Sequence, residues 1–370
     1  MRSNLPPVTG RPLRVLIVRI GAMGDVLHAM PAVAALRKLH PEWFIGWAIE
    51  PGWSELLQAA DDFDRNPYAK AGTPGKPLVD VWHQVRAREW KKRPLAPATL
   101  LDINALRREL RKDRYDICVD MQGTIRSAVV GRMAAAHIFA GAAAPREAPA
   151  AWLYGQRVGL SAAHVVAQGC ELLGAAVGET LQPPKVTLPV EPAAEQWCEK
   201  LLASTARERF VVIAPTAGWG AKQWPAERYG AVAAELARAG YRTLVNAASS
   251  ADETGNRVVA ASAGAAMLTP CSIGQLIALL RRASLVIAGD TGPLHLAAAL
   301  ERPVVALYGP TDPARNGPYG TRSRVLRHPS SRRDHSRHAE TEAGLMQITT
   351  GEVVQAALEL LQSEQDKVSV

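Results

Sequence analysis

Cysteine is scarce in this 370-residue chain, and the four that occur do not pair: Cys118, Cys170, Cys198 and Cys271 are scattered, with no two at metal-ligand spacing. That excludes a disulfide scaffold and a zinc finger, and fits buried or free thiols in a reducing compartment. Long apolar runs are also missing; none approaches the roughly 20 residues of a membrane span. The opening MRSNLPPVTG has no apolar signal core, so the expected location is the cytoplasm. The chain has no zinc-finger spacing, basic zipper or aromatic RNA-binding motif, which argues against nucleic acid as a partner. The three-glycine spacing of a dinucleotide site is absent after the first strand, which argues against NAD.

What is present is bulk and positive charge. A chain of this length favours two domains, because single cores rarely grow past about 250–300 residues; 48% hydrophobic residues suffice for two cores. The net charge of +8 calls for an acidic partner: anionic lipid or a phosphorylated small molecule. Basic residues concentrate at Arg86–Arg93 (RAREWKKR), Arg107–Arg114 (RRELRKDR) and Arg322–Arg337, the last read as a mobile loop.

Two stretches carry the chemistry. In Ser284–Pro313 an apolar strand breaks into Gly289–Pro293, becomes helical over Leu294–Leu300, and returns to a strand at Val304–Tyr308. Asp-Thr-Gly between a parallel strand and a helix N-terminus is where an α/β protein holds an anion, because free backbone N–H groups and the helix dipole point at it. The second stretch begins with strand Arg14–Ile20 and a small-residue loop, Gly21–Gly24. A helix follows with Val26, Leu27, Met30, Val33 and Leu36 at helical spacing, and Asp25 stands at its start. Asp25 reads either as a first-turn carboxylate that supports the helix or as a chemical group at the carboxyl end of the first strand.

The strand–helix alternation continues on both sides of Gly178–Pro192, a segment with four prolines and little periodicity. In the first half it includes strand Phe44–Ile49, a helix near Trp53–Ala59, helix Ala98–Lys112, strand Tyr115–Val119, helix Ile125–Ala136 and a small-residue loop Gly141–Pro149. In the second it includes Phe210–Ala214, Ala226–Ala239, Arg242–Asn246 and a closing helix Thr350–Ser363. Repeated β-then-α order implies parallel sheets with right-handed crossovers. The expected fold is two Rossmann-like domains with the active site between them: residues 1–182, a linker 183–193, residues 194–349, and a helix and tail 350–370.

The signatures MGDVLHAMPAVAALR and GDTGPLHLAAALERPVVALYGPTDP resemble those of glycosyltransferase family 9, the ADP-heptose-dependent heptosyltransferases. YDICVDMQGTIRSA, APREAPAAWLYGQRV and AKQWPAERY agree, and the similarity runs from about Arg14 to Thr350. MGDVLH and REAP point within it to the lipopolysaccharide heptosyltransferase I branch.

The resemblance implies a GT-B fold with an acceptor-binding first domain and a donor-binding second. It implies inverting transfer of L-glycero-D-manno-heptose from ADP-heptose to Kdo of Kdo-lipid A, with no metal or other cofactor, at the cytoplasmic face of the membrane. Asp25 matches the catalytic base. Lys222 matches the diphosphate lysine and Asp290 the sugar-hydroxyl contact, with an N-cap as the other reading of Asp290. Thr291 and Gly292 offer hydroxyl and N–H donors to phosphate at the helix start, with Thr216 as a further phosphate contact and Glu253 or Asp252 as the ribose contact. His295, on the first turn of that helix, reads as a packed core residue or as a phosphate or sugar ligand. The loop from Thr216 to Lys222 is one residue longer than the branch's pattern. Arg88, Lys91, Lys92, Arg126 and Arg146 fall where the family binds its acidic acceptor; Arg126 stands at a family lysine position. Trp47, Trp53 and Trp82 read as packing residues. The alternatives are a related transferase adding a later core heptose or another sugar, and a non-catalytic nucleotide- or lipid-binding relative.

Overall fold

The computed structural model describes residues 11–60, 71–203, 209–334 and 339–368. The expectations for MRSNLPPVTG, and for the last part of the basic 322–338 segment, lie outside them. The chain divides into two compact units, Met1–Pro189 and Val190–Val370.

The first unit runs β1 (Arg14–Val18), α1 (Met23–Leu39), β2 (Phe44–Ile49), β3 (Val81–Gln84), α2 (Ala87–Lys92), α3 (Pro97–Lys112), β4 (Ile117–Asp120), α4 (Ile125–Met133), β5 (Ile138–Ala142), β6 (Gln156–Val158) and α5 (Val165–Val177). Single 3-10 segments lie at Pro51–Leu56 and Ala148–Leu153. Its six strands are all parallel in the order β3-β2-β1-β4-β5-β6.

The second unit runs α6 (Pro192–Ala203), β7 (Phe210–Ala214), α7 (Ala226–Arg238), β8 (Arg242–Ala247), α8 (Glu253–Ala261), β9 (Ala266–Pro270), α9 (Ile273–Arg282), β10 (Leu285–Gly289), α10 (Gly292–Ala299), β11 (Val304–Tyr308), α11 (Pro313–Asn316), β12 (Ser323–Arg327), α12 (Ala343–Gln347) and α13 (Thr350–Val368). Its sheet is β12-β11-β10-β7-β8-β9, again all parallel.

Both sheets have the doubly wound order 3-2-1-4-5-6. The strands that carry it are apolar on both faces because helices cover both sides: every residue of β7, β10 and β11 is buried. In such sheets the order reverses between the first and fourth strands, and the loops leaving their carboxyl ends diverge to open a crevice. Here those loops follow β1 and β4 in the first unit, and β7 and β10 in the second. Helix α13 adds Val353, Ala356, Ala357, Leu360 and Leu361 to the second core.

Two sequence expectations are corrected. The expected Gly141–Pro149 loop begins later, because Gly141 and Ala142 close strand β5 (Ile138–Ala142), which pairs with β4. The charge run Arg86–Arg93, for which no element was expected, contains α2. The segment read as a mobile loop from Arg322 forms edge strand β12 on β11. Its arginines are tied down rather than loose: Arg322 donates to Ser363 Oγ at 2.5 Å, Arg324 pairs with Glu359 at 3.1 Å, and Arg327 donates to the carbonyls of Gly309 (3.2 Å) and Ser331 (2.7 Å). Charged side chains on an edge strand also discourage pairing with other chains, so the composition looked loop-like.

Candidate functional sites

In the first unit the loop after β1 reaches α1 through Arg19–Ala22. Asp25, the third residue of α1, accepts the Ala22 amide at 3.2 Å, so it supports the helix start as a first-turn carboxylate. Its other oxygen pairs with Arg19 Nη2 at 2.8 Å, while its side chain stays 35% exposed. Arg19 Nε also donates to the Asp25 carbonyl at 3.1 Å, and Nη1 donates to the Met121 carbonyl in the loop after β4. Asp25 is thus a fixed carboxylate still open to a ligand. The reading of Asp25 as a first-turn carboxylate is met, and its exposure leaves it accessible.

The loop after β4 shapes that site from 102 residues away. Gln122 Oε1 accepts the amides of Ile20 (2.7 Å) and Gly21 (3.3 Å), clamping the glycine loop. Asp120, at the end of β4, anchors its own loop. It accepts the amides of Gln122 and Gly123 and the hydroxyls of Ser127 (2.9 Å) and Tyr154 (2.7 Å). Burial raises its pKa, and those four hydrogen bonds work against the rise. Gly123 is in the left-handed region (φ +71°), where a side chain would also press on the Arg146 amide.

The basic residues divide. Arg88 lies over the Trp53 ring, 5.4 Å from its centroid, and its amide points to Glu50 at 3.4 Å. Burial raises the pKa of Glu50, opposed by Arg88 and by the charge of Arg126, so these two arginines flank one carboxylate. Arg126 stands in the first turn of α4 and Arg146 is exposed beside the Gly123 turn. Lys91 and Lys92, in the last turn of α2, are exposed and make no hydrogen bond or ion pair with this group among the described residues. Trp47 and Trp82 pack as expected, donating to the Arg19 carbonyl and to Gln58. Trp53 packs against the glycine loop, where a Cβ on Gly21 would come within 2.9 Å of its indole nitrogen.

In the second unit, β10 delivers Asp290 at the turn into α10. Lys222 Nζ pairs with Asp290 Oδ2 and also reaches the Asp290 carbonyl at 3.4 Å; His295 Nε2 meets Oδ1 at 3.0 Å. The side chains of Lys222, Asp290 and His295 are 11%, 7% and 6% exposed. Burial alone would raise the Asp290 pKa, but the His295 hydrogen bond and the Lys222 charge outweigh it and hold the carboxyl well below its usual range. Lys222 is further fixed over the Trp219 ring at 4.4 Å. An ammonium has three N–H groups, two of which are engaged with Asp290. Thr291 leaves α10 without a side-chain cap, since its hydroxyl turns back to the Gly289 carbonyl at 3.2 Å, and the first-turn amides from Gly292 carry the positive end of the helix dipole.

The loop after β7 is stitched to the start of α8. Thr216 Oγ1 lies 3.4 Å from Asp252, which caps α8 through the Gly255 amide at 2.8 Å. Gln223 accepts the Ala217 amide and donates to Thr254, both at 3.1 Å. Glu253 is exposed next to this cap. Lys222, Asp290, Thr291, Gly292 and His295 therefore form one cluster, with Thr216 and Glu253 grouped around Asp252. Sequence reasoning missed Arg19, Gln122 and Gln223. The cue for Arg19 and Gln122 was their place in the switch-point loops.

The profile of glycosyltransferase family 9 (heptosyltransferase) matches residues 103–346. The chain belongs to glycosyltransferase family 9. It is 28% identical over 328 residues to lipopolysaccharide heptosyltransferase 1 of Escherichia coli K12, covering 86% of this chain and 94% of that one. The solved structure of E. coli heptosyltransferase WaaC with ADP superposes at a TM-score of 0.73, with 26% identity, over 94% of this chain and all of that one (100%). The same enzyme with ADP-2-deoxy-2-fluoro heptose gives 0.71, with 27% identity, over 94% and 99%. The family fold is GT-B, as expected, and this family 9 chain is a glycosyltransferase.

Proposed function

We propose that this protein transfers L-glycero-D-manno-heptose from ADP-heptose to a Kdo hydroxyl of Kdo-lipid A, with inversion and without a metal, as a peripheral protein at the cytoplasmic face of the membrane. The observation that carries this reading is that the two switch-point crevices hold complementary chemistry. One presents an open carboxylate, Asp25; the other presents an ammonium and an uncapped helix N-terminus. The solved complexes of the E. coli relative with ADP and an ADP-heptose analogue support ADP-heptose as the donor.

In this reading the acceptor oxygen attacks the anomeric carbon from the face opposite the diphosphate. The new C–O bond forms as the bond to ADP breaks, and Asp25 takes the acceptor proton. Arg19 holds Asp25 aimed, and Gln122 keeps the glycine loop open around it. The departing diphosphate collects charge, which the third N–H of Lys222, the amides from Gly292, and Thr291 stabilise. Asp290 fixes Lys222 and His295 and uses its remaining lone pairs on sugar hydroxyls; His295 adds a contact to phosphate or sugar. Thr216 serves the phosphates, and Glu253 the ribose. Arg88, Lys91, Lys92, Arg126 and Arg146 receive the acceptor's carboxylates and phosphates, Arg bidentately.

The test is incubation of Kdo-lipid A with ADP-heptose and the purified protein, read by mass spectrometry. Addition of one heptose supports the reading. Addition only to an already heptosylated core moves the acceptor to a later step, and no addition to either overturns it.

A further inference from the structure

Hydrophobic exposure in this molecule is concentrated rather than scattered. Of the ten exposed large apolar side chains among the described residues, three fall within seven positions: Leu95 (85% exposed), Leu100 (54%) and Leu101 (68%). Two more, Ile125 and Val129, lie on α4, which packs beside α3.

The turn that presents Leu95 is built, not slack. Thr99 Oγ1 and the Ala96 amide both donate to the Arg93 carbonyl, at 2.7 and 3.2 Å. Trp90 ties α2 to α3 through Asp102 at 2.7 Å, and Thr99, Leu106 and Leu110 face inward. The leucines are left outside a hairpin whose interior is already satisfied.

Around them the charge is one-sided. Between Arg86 and Arg114 ten basic residues face four acidic ones, so this stretch carries +6 of the chain's +8. Lys91, Lys92 and Arg93 are exposed and make no ion pair among the described residues. Helices in a parallel sheet run against the strands, so the start of α3 sits at the strands' carboxyl ends. That is the end that carries Asp25 and Arg126.

We propose that the α2–α3 hairpin is a bilayer-docking element: Leu95, Leu100 and Leu101 enter the headgroup–acyl boundary of an anionic membrane, and Arg93, next to the acceptor-facing Lys91 and Lys92, binds lipid phosphates. Exposed leucines beside unpaired basic side chains are the composition of an interfacial anchor. A second copy of this chain is a poorer occupant, since it would bring an equally basic face against this one. The inference deepens the proposed function, in which the acceptor is a lipid, but its test reads lipid binding without turnover.

The experiment is cosedimentation of the full chain with phosphatidylglycerol-containing vesicles and with pure phosphatidylcholine vesicles, alongside titration with ADP-heptose. The wild type should pellet with the anionic vesicles, less so at high salt. L95S/L100S/L101S should lose at least about tenfold in vesicle affinity, because apolar burial carries the anchor, while keeping its donor affinity. Arg93→Glu should lose about fivefold or more. Leu95→Ser alone, in an exposed turn that the fold does not depend on, should lose severalfold, and it serves if the triple variant misfolds. Vesicle binding unchanged in Leu95→Ser and in the triple variant, or absent in the wild type, overturns the proposal. So does a shift from dimer to monomer on the triple substitution, which would mark the patch as a contact between copies. A wild type that docks yet shows no transfer would overturn the proposed function and leave the anchor standing.

Discussion

Replacing Lys222 with methionine separates its two proposed jobs. Methionine keeps most of the stem packed over Trp219 but removes the ammonium that neutralises Asp290. Both partners are nearly buried, at 11% and 7% exposure, so solvent does little to screen the loss. Breaking a buried pair on one side costs about 3–5 kcal/mol. The lower end applies here because His295 still contacts the other carboxylate oxygen at 3.0 Å. That loss should appear as earlier urea unfolding.

The donor effect is distinct. A charge-assisted hydrogen bond to phosphate contributes about 1.5–3 kcal/mol, or roughly 10- to 150-fold in Kd. Calorimetric titration with ADP-heptose, under conditions where circular dichroism shows the variant folded, measures it. Donor affinity within twofold of wild type, together with the stability loss, would show that Lys222 serves only Asp290 and would refute the diphosphate role.

Other outcomes follow from the same geometry. Asp290→Asn tests the depressed carboxyl. A group whose folded pKa is lowered stabilises above its unfolded value, about 4, and loses that contribution as pH falls through the folded value. The stability gap between wild type and variant in urea titrations should therefore be constant from about pH 7 to 5 and narrow below about pH 4. Gln122→Met leaves the Ile20 and Gly21 amides without their acceptor and should lower kcat about tenfold with donor affinity intact. Gln122→Glu, which keeps an acceptor oxygen, should recover most of it. Gly46→Ala would place its Cβ 1.9 Å from the Tyr115 hydroxyl, itself held by His83 at 2.7 Å. The expected cost is about 1–3 kcal/mol or more, read by thermal unfolding.

The strand–turn–helix units were legible because each has a local signature: an apolar run buried on both faces, a small-residue turn, then helical spacing. Gly21–Asp25 and Asp290–His295 were found this way, and the structure puts both at switch points. Partners distant in the chain were not legible. Arg19 lies just past β1 and reads as a strand-end charge until Asp25 and the Met121 carbonyl fold around it. Gln122 is one polar residue in a loop until β4 pairs with β1 and carries it to the Ile20 amide. The Lys222–Asp290 pair spans 68 residues, so the hold of Lys222 on the Asp290 carboxylate was not legible locally. Charge runs misled in the other direction: β12 looked like a loop because three of its five residues are polar or charged, Arg324 among them pairing with Glu359 of α13.

The central claim is that Asp25 takes the acceptor proton in a transfer whose donor is held by the second unit. Its most direct test is ADP release from ADP-heptose, with and without Kdo-lipid A, by the wild type and Asp25→Ala, with donor affinity measured in both. The account predicts release by the wild type only when acceptor is present. Asp25→Ala should release ADP about 10²- to 10⁴-fold more slowly, the usual worth of a general base, at nearly unchanged donor affinity. Turnover by Asp25→Ala within a few-fold of wild type, or donor affinity lost in step with turnover, would contradict it.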